Sequence, residues 1–244
     1  MKSSERTLEI LEHLAAVVDR PTLGELARDL ELPKSSLHGI LRTMQDKGWI
    51  QTDPSGTRFG LGVRSLLVGA SYVDSDDVVA MTADALDELS EDVGEAIHLG
   101  RLDRTDIVYL AKRESRHPLR LFSAIGRRLP AYATALGKAV LSQQPEDALD
   151  ELLPSHLSSL TKYTIVDRDQ LREELERIRE CGYAIDNQEN TEGIRCFAVP
   201  LRRGQHLSDA ISCSVPIIRI TPETETHVVE ALRRAQAHAE ARLG

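Results

Sequence analysis

The chain has 244 residues, room for one large domain or two modest ones at roughly 100–200 residues each. Its hydrophobic fraction of 41% suffices for a buried core, but no apolar run approaches the ~20 residues that a membrane-spanning helix needs. A net charge of −9 excludes a surface that is basic throughout, yet leaves room for a local basic face.

The N-terminus, Met1-Lys2-Ser3-Ser4-Glu5-Arg6, turns amphipathic at once and has no apolar signal core, which implies an intracellular, cytoplasmic protein. Residues 5–18 place Leu8, Leu11, Ala15 and Val18 on one helical face, flanked by Ile10, Leu14 and Val17. Arg20-Pro21 ends that helix. Thr22 caps the next one, with Glu25 three residues on in a capping-box pattern. Its apolar face is Leu23, Leu26, Ala27 and Leu30. After the tight turn Glu31-Leu32-Pro33, a third helix carries Leu37, Ile40, Leu41 and Met44 and ends at Lys47-Gly48. Short strands at 49–52 and 57–61 flank Asp53-Pro54-Ser55-Gly56, which is turn chemistry. Helix, helix, turn, helix, hairpin is the order of a winged helix-turn-helix, here over residues 1–62.

Residues 63–75 read as a stiff linker helix with Leu66, Leu67 and Ala70 on one side. A further helix from about Asp76 to Val93 carries Val78, Met81, Ala85, Leu89 and Val93. Beyond Gly94 the period changes to that of strands: Ile97 and Leu99, then Ile107, Tyr109 and Ala111 around the turn Asp103-Arg104-Thr105. A strand at 119–123, a helix at 131–141 and a short helix at 146–153 follow. So do a helix at 168–181 stopped by Gly182 and strands at 183–187, 194–202 and 209–218. Thr221-Pro222 opens a last helix with Val228, Leu232, Ala235 and Ala239 on its apolar face. Residues 76–244 are therefore α+β, an antiparallel sheet with helices on its faces.

Charge divides unevenly along the chain. The first 62 residues hold eight basic and nine acidic side chains, the remaining 182 hold 22 and 30. From Lys34 to Arg58 the sign reverses, with Lys34, Arg42, Lys47 and Arg58 against Asp46 and Asp53. With Leu37, Ile40, Leu41 and Met44 fixing the third helix's core face, Lys34, Ser35, Ser36, His38, Arg42 and Thr43 must project outward. Short hydroxyls and an imidazole suit base edges in a major groove, and Arg42 suits phosphate or guanine. Thr22, at a helix start, and Arg58, on the hairpin, suit the adjoining backbone of double-stranded DNA. A merely solvated polar face remains the alternative.

In the larger part, Ser212 and Ser214 share one strand face, with Ile211, Cys213 and Val215 on the other. Ile194, Cys196 and Ala198 share a face of the neighbouring strand, and Asp186 sits in a third. Thr134 opens a helix whose Ala135 and Leu136 offer amide groups. Hydroxyls, one carboxylate and a thiol can converge on a small polar ligand. Core serines and a core cysteine are the alternative. An enzyme with Cys196 or Cys213 as nucleophile lacks a Cys–His spacing or a nucleophile-elbow pattern. His98, His117, His206 and the three cysteines are scattered, with no metal-ligand spacing and no disulfide framework. No cofactor, metal or membrane partner is expected.

Several segments resemble the IclR family of bacterial transcriptional regulators. They are Thr22-Leu23-Gly24-Glu25-Leu26-Ala27, Leu32-Pro33-Lys34-Ser35-Ser36-Leu37-His38-Gly39-Ile40-Leu41, Gly48-Trp49-Ile50 and Phe59-Gly60-Leu61-Gly62. The likeness continues in Leu129-Pro130-Ala131-Tyr132-Ala133-Thr134-Ala135-Leu136-Gly137-Lys138-Ala139 and Gly182-Tyr183-Ala184-Ile185-Asp186. It ends in Gly193-Ile194-Arg195-Cys196-Phe197-Ala198-Val199-Pro200 and Ala210-Ile211-Ser212-Cys213-Ser214. The resemblance implies a winged helix-turn-helix head, a linker helix and a GAF-like effector domain. It also implies homodimers through the heads, often paired into homotetramers, on a palindromic operator. It points to Thr134, Ala135, Leu136, Asp186, Ile194, Cys196, Ser212 and Ser214 as the effector site. Repression relieved by the effector is the commoner mode it suggests, with activation the alternative. Residues 36–45 and Thr52-Asp53-Pro54 look most like the glycerol-operon members, which suggests a glycerol-type metabolite. An aromatic or short carboxylic acid is the alternative. Leu136 is bulkier than in some members, and Glu192, if it faced the pocket, would oppose an anion.

Overall fold

The computed structural model describes residues 2–118, 123–204 and 206–244. The chain divides into two compact units, one ending at Ser75 and one beginning at Asp76.

The first unit holds α1 (Lys2–Ala16), α2 (Leu23–Asp29), α3 (Lys34–Asp46), β1 (Ile50–Thr52), β2 (Phe59–Leu61) and α4 (Val63–Ser75). Its core joins Ile10 and Leu14 to Leu26, Leu37, Leu41, Met44 and Ile50. This corrects the face expected for the first helix. Leu8 is 60% exposed and Val18 fully exposed. The run from Leu8 to Val18 is apolar at so many positions that two stripes fit its period. Packing against α3 selects the stripe through Ile10 and Leu14, and the helix ends at Ala16, before Val18. The capping box at α2 is formed: Thr22 Oγ1 accepts from Glu25 N, and Glu25 Oε2 accepts from Thr22 N at 2.7 Å. The turn between β1 and β2 is organised by Asp53, whose Oδ1 accepts from the amides of Thr57 and Arg58.

The second unit is a six-stranded antiparallel sheet. Its strands are β3 (Ala96–Asp103), β4 (Asp106–Arg113), β5 (Arg128–Pro130), β6 (Ala184–Asn187), β7 (Ile194–Arg203) and β8 (His206–Pro216), in the order β5-β4-β3-β8-β7-β6. One face packs on α5 (Asp77–Val93) and α9 (Pro222–Leu243) through Leu86, Leu89, Phe197, Ile211, Cys213 and Leu232. The other packs on α6 (Ala135–Leu141), α7 (Glu146–Leu152) and α8 (Arg168–Cys181) through Leu136, Leu171, Leu175, Ile178 and Ala198. Alternation along β7 and β8 separates these two cores, as period two requires.

Four local expectations change. Residues 131–141 are not one helix. Thr134 is extended (φ −123°, ψ 148°), with a 3-10 turn at Ala131–Ala133 before it, because its hydroxyl accepts from Gly137 N at 3.0 Å as a cap. β8 stops at Pro216, which lacks an amide hydrogen, and a 3-10 turn follows at Ile217–Arg219. Met81 is 36% exposed at the rim of α5, where Thr82 and Leu86 are buried instead. The strand expected at 119–123 falls mostly on residues outside the described ones, and Ser123 is not in a strand; the edge strand β5 was not foreseen.

Candidate ligand cavity and nucleic-acid interface

In the first unit, Leu37, Leu41 and Met44 anchor α3 in the core. Lys34, Ser35, His38, Arg42 and Thr43 lie on its exposed side. Ser36 is half-buried, its Oγ accepting from Arg6 Nη1 at 2.9 Å, a link across thirty residues that no local pattern announces. Thr43 spends its hydroxyl proton on the Gly39 carbonyl, 3.1 Å away. Thr22 and Arg58 face each other in an isolated antiparallel bridge. Arg58 Nη1 donates to the Arg20 carbonyl at 2.7 Å and lies 3.7 Å from Glu25 Oε2. These last two residues therefore fasten the hairpin to the start of α2, while the outer face of α3 stays available to a groove.

In the second unit, register builds a cavity wall. Asp186 pairs with Cys196 and Cys196 with Ser214 across three strands. One row on, Ala198 pairs with Ser212 and Ser212 with His98. Opposite stands the first turn of α6. The resulting cavity contains about 430 Å³ of unfilled space, part of it open to solvent. It is a narrow cavity. Thr134, Ala135, Leu136, Asp186, Ile194, Cys196, Ser212 and Ser214 all line it. Sequence reasoning missed five further lining residues, Tyr109, Arg127, Leu129, Asn190 and Thr191. Leu129 opens the Leu129–Ala139 motif and Arg127 lies two residues before it; the other three have no signal of their own. Glu192 is exposed and does not line the cavity.

The chemistry of the lining is set by burial. Cys196 Sγ lies 3.2 Å from Ser214 Oγ, and burial, helped by the nearby Asp186 charge, pushes its thiol far above the usual range. It is a hydrogen-bond donor, not a thiolate nucleophile. Behind the lining, His98 stacks on Tyr109 at 4.5 Å and has its Nε2 2.9 Å from Ser123 Oγ. Burial drops its pKa to about 4, so the ring is neutral.

Asp186 accepts from the amides of Glu189 at 2.6 Å and Asn190 at 3.3 Å. Burial, then the charge of Glu189, nevertheless raise its pKa to about 7. In an unfolded chain this carboxyl titrates near ~4. Between those values the native state holds the extra proton. The stability it contributes is therefore complete below about pH 4 and is lost as pH rises through about 7, by at most about 1.4 kcal/mol per unit. Asp186→Asn cannot titrate and keeps an oxygen for both amides. Its melting temperature relative to the parent is expected to rise between pH 5 and pH 8. A difference independent of pH would refute the assignment; His98 titrates in both proteins and drops out.

A three-helix head with a wing, followed by a sheet domain holding a narrow, partly open cavity, is the architecture of a DNA-binding regulator with a ligand-binding domain. Residues 3–54 match the IclR helix-turn-helix domain, and residues 70–240 match the bacterial transcriptional regulator IclR C-terminal domain. The chain belongs to the IclR family of transcriptional regulators. It is 33% identical over 237 residues to the HTH-type transcriptional regulator XynR of Escherichia coli, covering 96% of this chain and 94% of that protein. It is 30% identical over 247 residues to the glycerol operon regulatory protein of Streptomyces griseus, covering 100% and 97%. A crystal structure of an IclR transcriptional regulator from Alicyclobacillus acidocaldarius superposes with a TM-score of 0.88 at 26% identity, over 100% of this chain and 99% of that one. No helix among the described residues is long and apolar enough to cross a membrane.

Proposed function

We propose that this regulator is a cytoplasmic repressor whose hold on a palindromic operator is relieved by a small effector. Residues 1–62 serve as the head, 63–75 as the linker helix and 76–244 as the effector domain. On this reading Lys34, Ser35, Ser36, His38, Arg42 and Thr43 meet the major groove, and Thr22 and Arg58 meet the adjoining backbone. The effector occupies the cavity lined by Thr134, Asp186, Cys196, Ser212 and Ser214. The observation that carries the reading is the convergence of all eight motif-derived residues, from one helix and three strands, on a single cavity. Its small volume favours a compact effector, a glycerol-type metabolite or a short organic acid, over a large one. Likeness to the glycerol operon regulatory protein is no greater than to XynR, so it does not single out glycerol. A second copy of the chain is the expected partner. Helix α4 buries no residue, and Leu66, Leu67 and Val68 stand exposed along it.

The test is a gel shift on the duplex upstream of the protein's own gene, at two salt concentrations. Saturable, salt-sensitive binding that survives unrelated competitor is expected. Arg42→Ala should weaken it by about 1–3 kcal/mol, roughly 5- to 150-fold, if the guanidinium reads a base. If it holds a phosphate, the loss is uniform across sequences and the salt slope falls by about one. Affinity unchanged by Arg42→Ala would remove α3 from the interface. Glycerol, glycerol 3-phosphate, pyruvate and benzoate, added in turn, then test the effector classes.

A further inference from the structure

One guanidinium holds the start of the second unit. Asp76, its first residue, caps α5 by accepting from Val78 N at 3.0 Å and Val79 N at 3.2 Å. The same carboxylate receives Arg101, Nη1 at 2.5 Å and Nη2 at 3.3 Å. Arg101 also grips Asp209, its cross-strand neighbour on β8, with Nε at 2.6 Å and Nη2 at 3.1 Å. All three side chains are largely buried. A planar fork thus ties a helix start to two strands, a geometry a lysine cannot reproduce.

One of those strands, β8, also walls the cavity; the other, β3, supports Leu136, which lines it. β8 presents Asp209 toward α5, and Ser212 and Ser214 toward the cavity on the other face. β3 changes register between Leu99 and Gly100, immediately before Arg101. A Cβ at Gly100 would stand 2.9 Å from Leu136 Cδ1, so this cavity-lining leucine rests on the backbone beside Arg101. Anything in the cavity that moves Leu136 bears on that backbone.

We propose that Arg101, with Asp76 and Asp209, is the positioning element that passes a change in the cavity to the start of α5, and so to the chain arriving from the DNA-binding head. The inference rests on the ligand-responsive reading above. It requires the clamp to have two arrangements that the cavity biases differently.

The experiment is a double-mutant cycle read as operator affinity, again on the duplex upstream of the protein's own gene. Leu136→Ala relieves the contact on Gly100 and is measured in the parent, in Arg101→Met and in Asp76→Asn. Asparagine caps a helix about as well as aspartate, so Asp76→Asn removes the clamp's charge and keeps the start of α5. In the parent, Leu136→Ala is expected to shift operator affinity about fivefold or more, the lower end of ordinary allosteric coupling. In either clamp variant the same change should shift it less than about twofold, while thermal melts show each protein folded and the clamp variants alone still bind operator saturably. An equal shift in all three backgrounds, or none in the parent, overturns the clamp and leaves operator binding standing. Failure of every protein, the parent included, to bind the duplex overturns the underlying reading and the clamp with it.

Discussion

Lys138→Met is expected to destabilise the second unit by about 3–5 kcal/mol, the usual cost of stripping one partner from a buried ion pair. Lys138 sits in the middle of α6 with its side chain 1% exposed. Its Nζ donates to Glu189 Oε1 at 2.5 Å and stands 3.6 Å from Glu174 Oε1. The two carboxylates are not equally dependent on it. Glu174 keeps Arg177, with two bonds of 2.7 and 2.8 Å. Glu189 is buried, and its Oε2 has no partner among the described residues. Methionine fills the space and leaves that carboxylate facing Asp186 with no cation. For a unit of this size the loss corresponds to roughly 6–20 °C in melting temperature. Lys138→Met/Glu189→Gln should recover much of it, because neutralising both partners removes the uncompensated charge. A single variant melting within about 2 °C of the parent would sink the argument, as would a double variant no more stable than the single. The cavity should suffer with the fold: Glu189 adjoins Asn190 and Thr191, and its carbonyl accepts from Thr164 Oγ1 at 2.6 Å.

What could be read from the sequence followed from local chemistry. Thr22 with Glu25, Gly182 at φ 81°, and Thr221 before Pro222 set helix ends through backbone rules that need no tertiary partner. Alternation in β7 and β8 placed Cys196, Ser212 and Ser214 on one face, and the pairing of register then brought Asp186 alongside. The first helix shows the limit. Its apolar residues satisfy two stripes, and only the position of Leu37 and Met44 decides between them. The Arg6–Ser36 bond, the Arg101 clamp and the stacking of Tyr109 on His98 join residues far apart in sequence. No spacing rule encodes such contacts. Among the cavity residues inside family motifs all but Leu129 were foreseen, whereas Asn190 and Thr191 arrive on the loop between β6 and β7, where Glu189 reaches Lys138.

Gly137→Ala is expected to cost about 3 kcal/mol or more, at or beyond the upper end of ordinary overpacking. A Cβ there would stand 2.1 Å from the Ala131 carbonyl oxygen and 2.3 Å from Ala131 Cα, inside the 3.0 Å that Cβ contacts respect. The obstacle is backbone, so no side chain can swing away. Nor can the backbone yield easily. Ala131 N donates to the Thr105 carbonyl at 3.0 Å, Thr134 N donates to the Ala131 carbonyl at 3.3 Å, and Thr134 Oγ1 caps Gly137 N. Helix propensity alone argues the other way, since alanine is favoured over glycine by roughly 1 kcal/mol in a helix interior. Gly39 on α3 provides the contrast: a Cβ there meets nothing within 4 Å, so Gly39→Ala should raise stability by about 0.5–1 kcal/mol. The same substitution in two helices is thus expected to carry opposite signs, measured as melting temperature or denaturant midpoint. A neutral or stabilising Gly137→Ala would show that the turn at Ala131–Ala133 is softer than its bonds imply. The functional cost should exceed the thermodynamic one. Thr134, Ala135 and Leu136 line the cavity from the displaced turn, so even a folded Gly137→Ala protein should lose its response to whichever tested metabolite moves the parent off its operator.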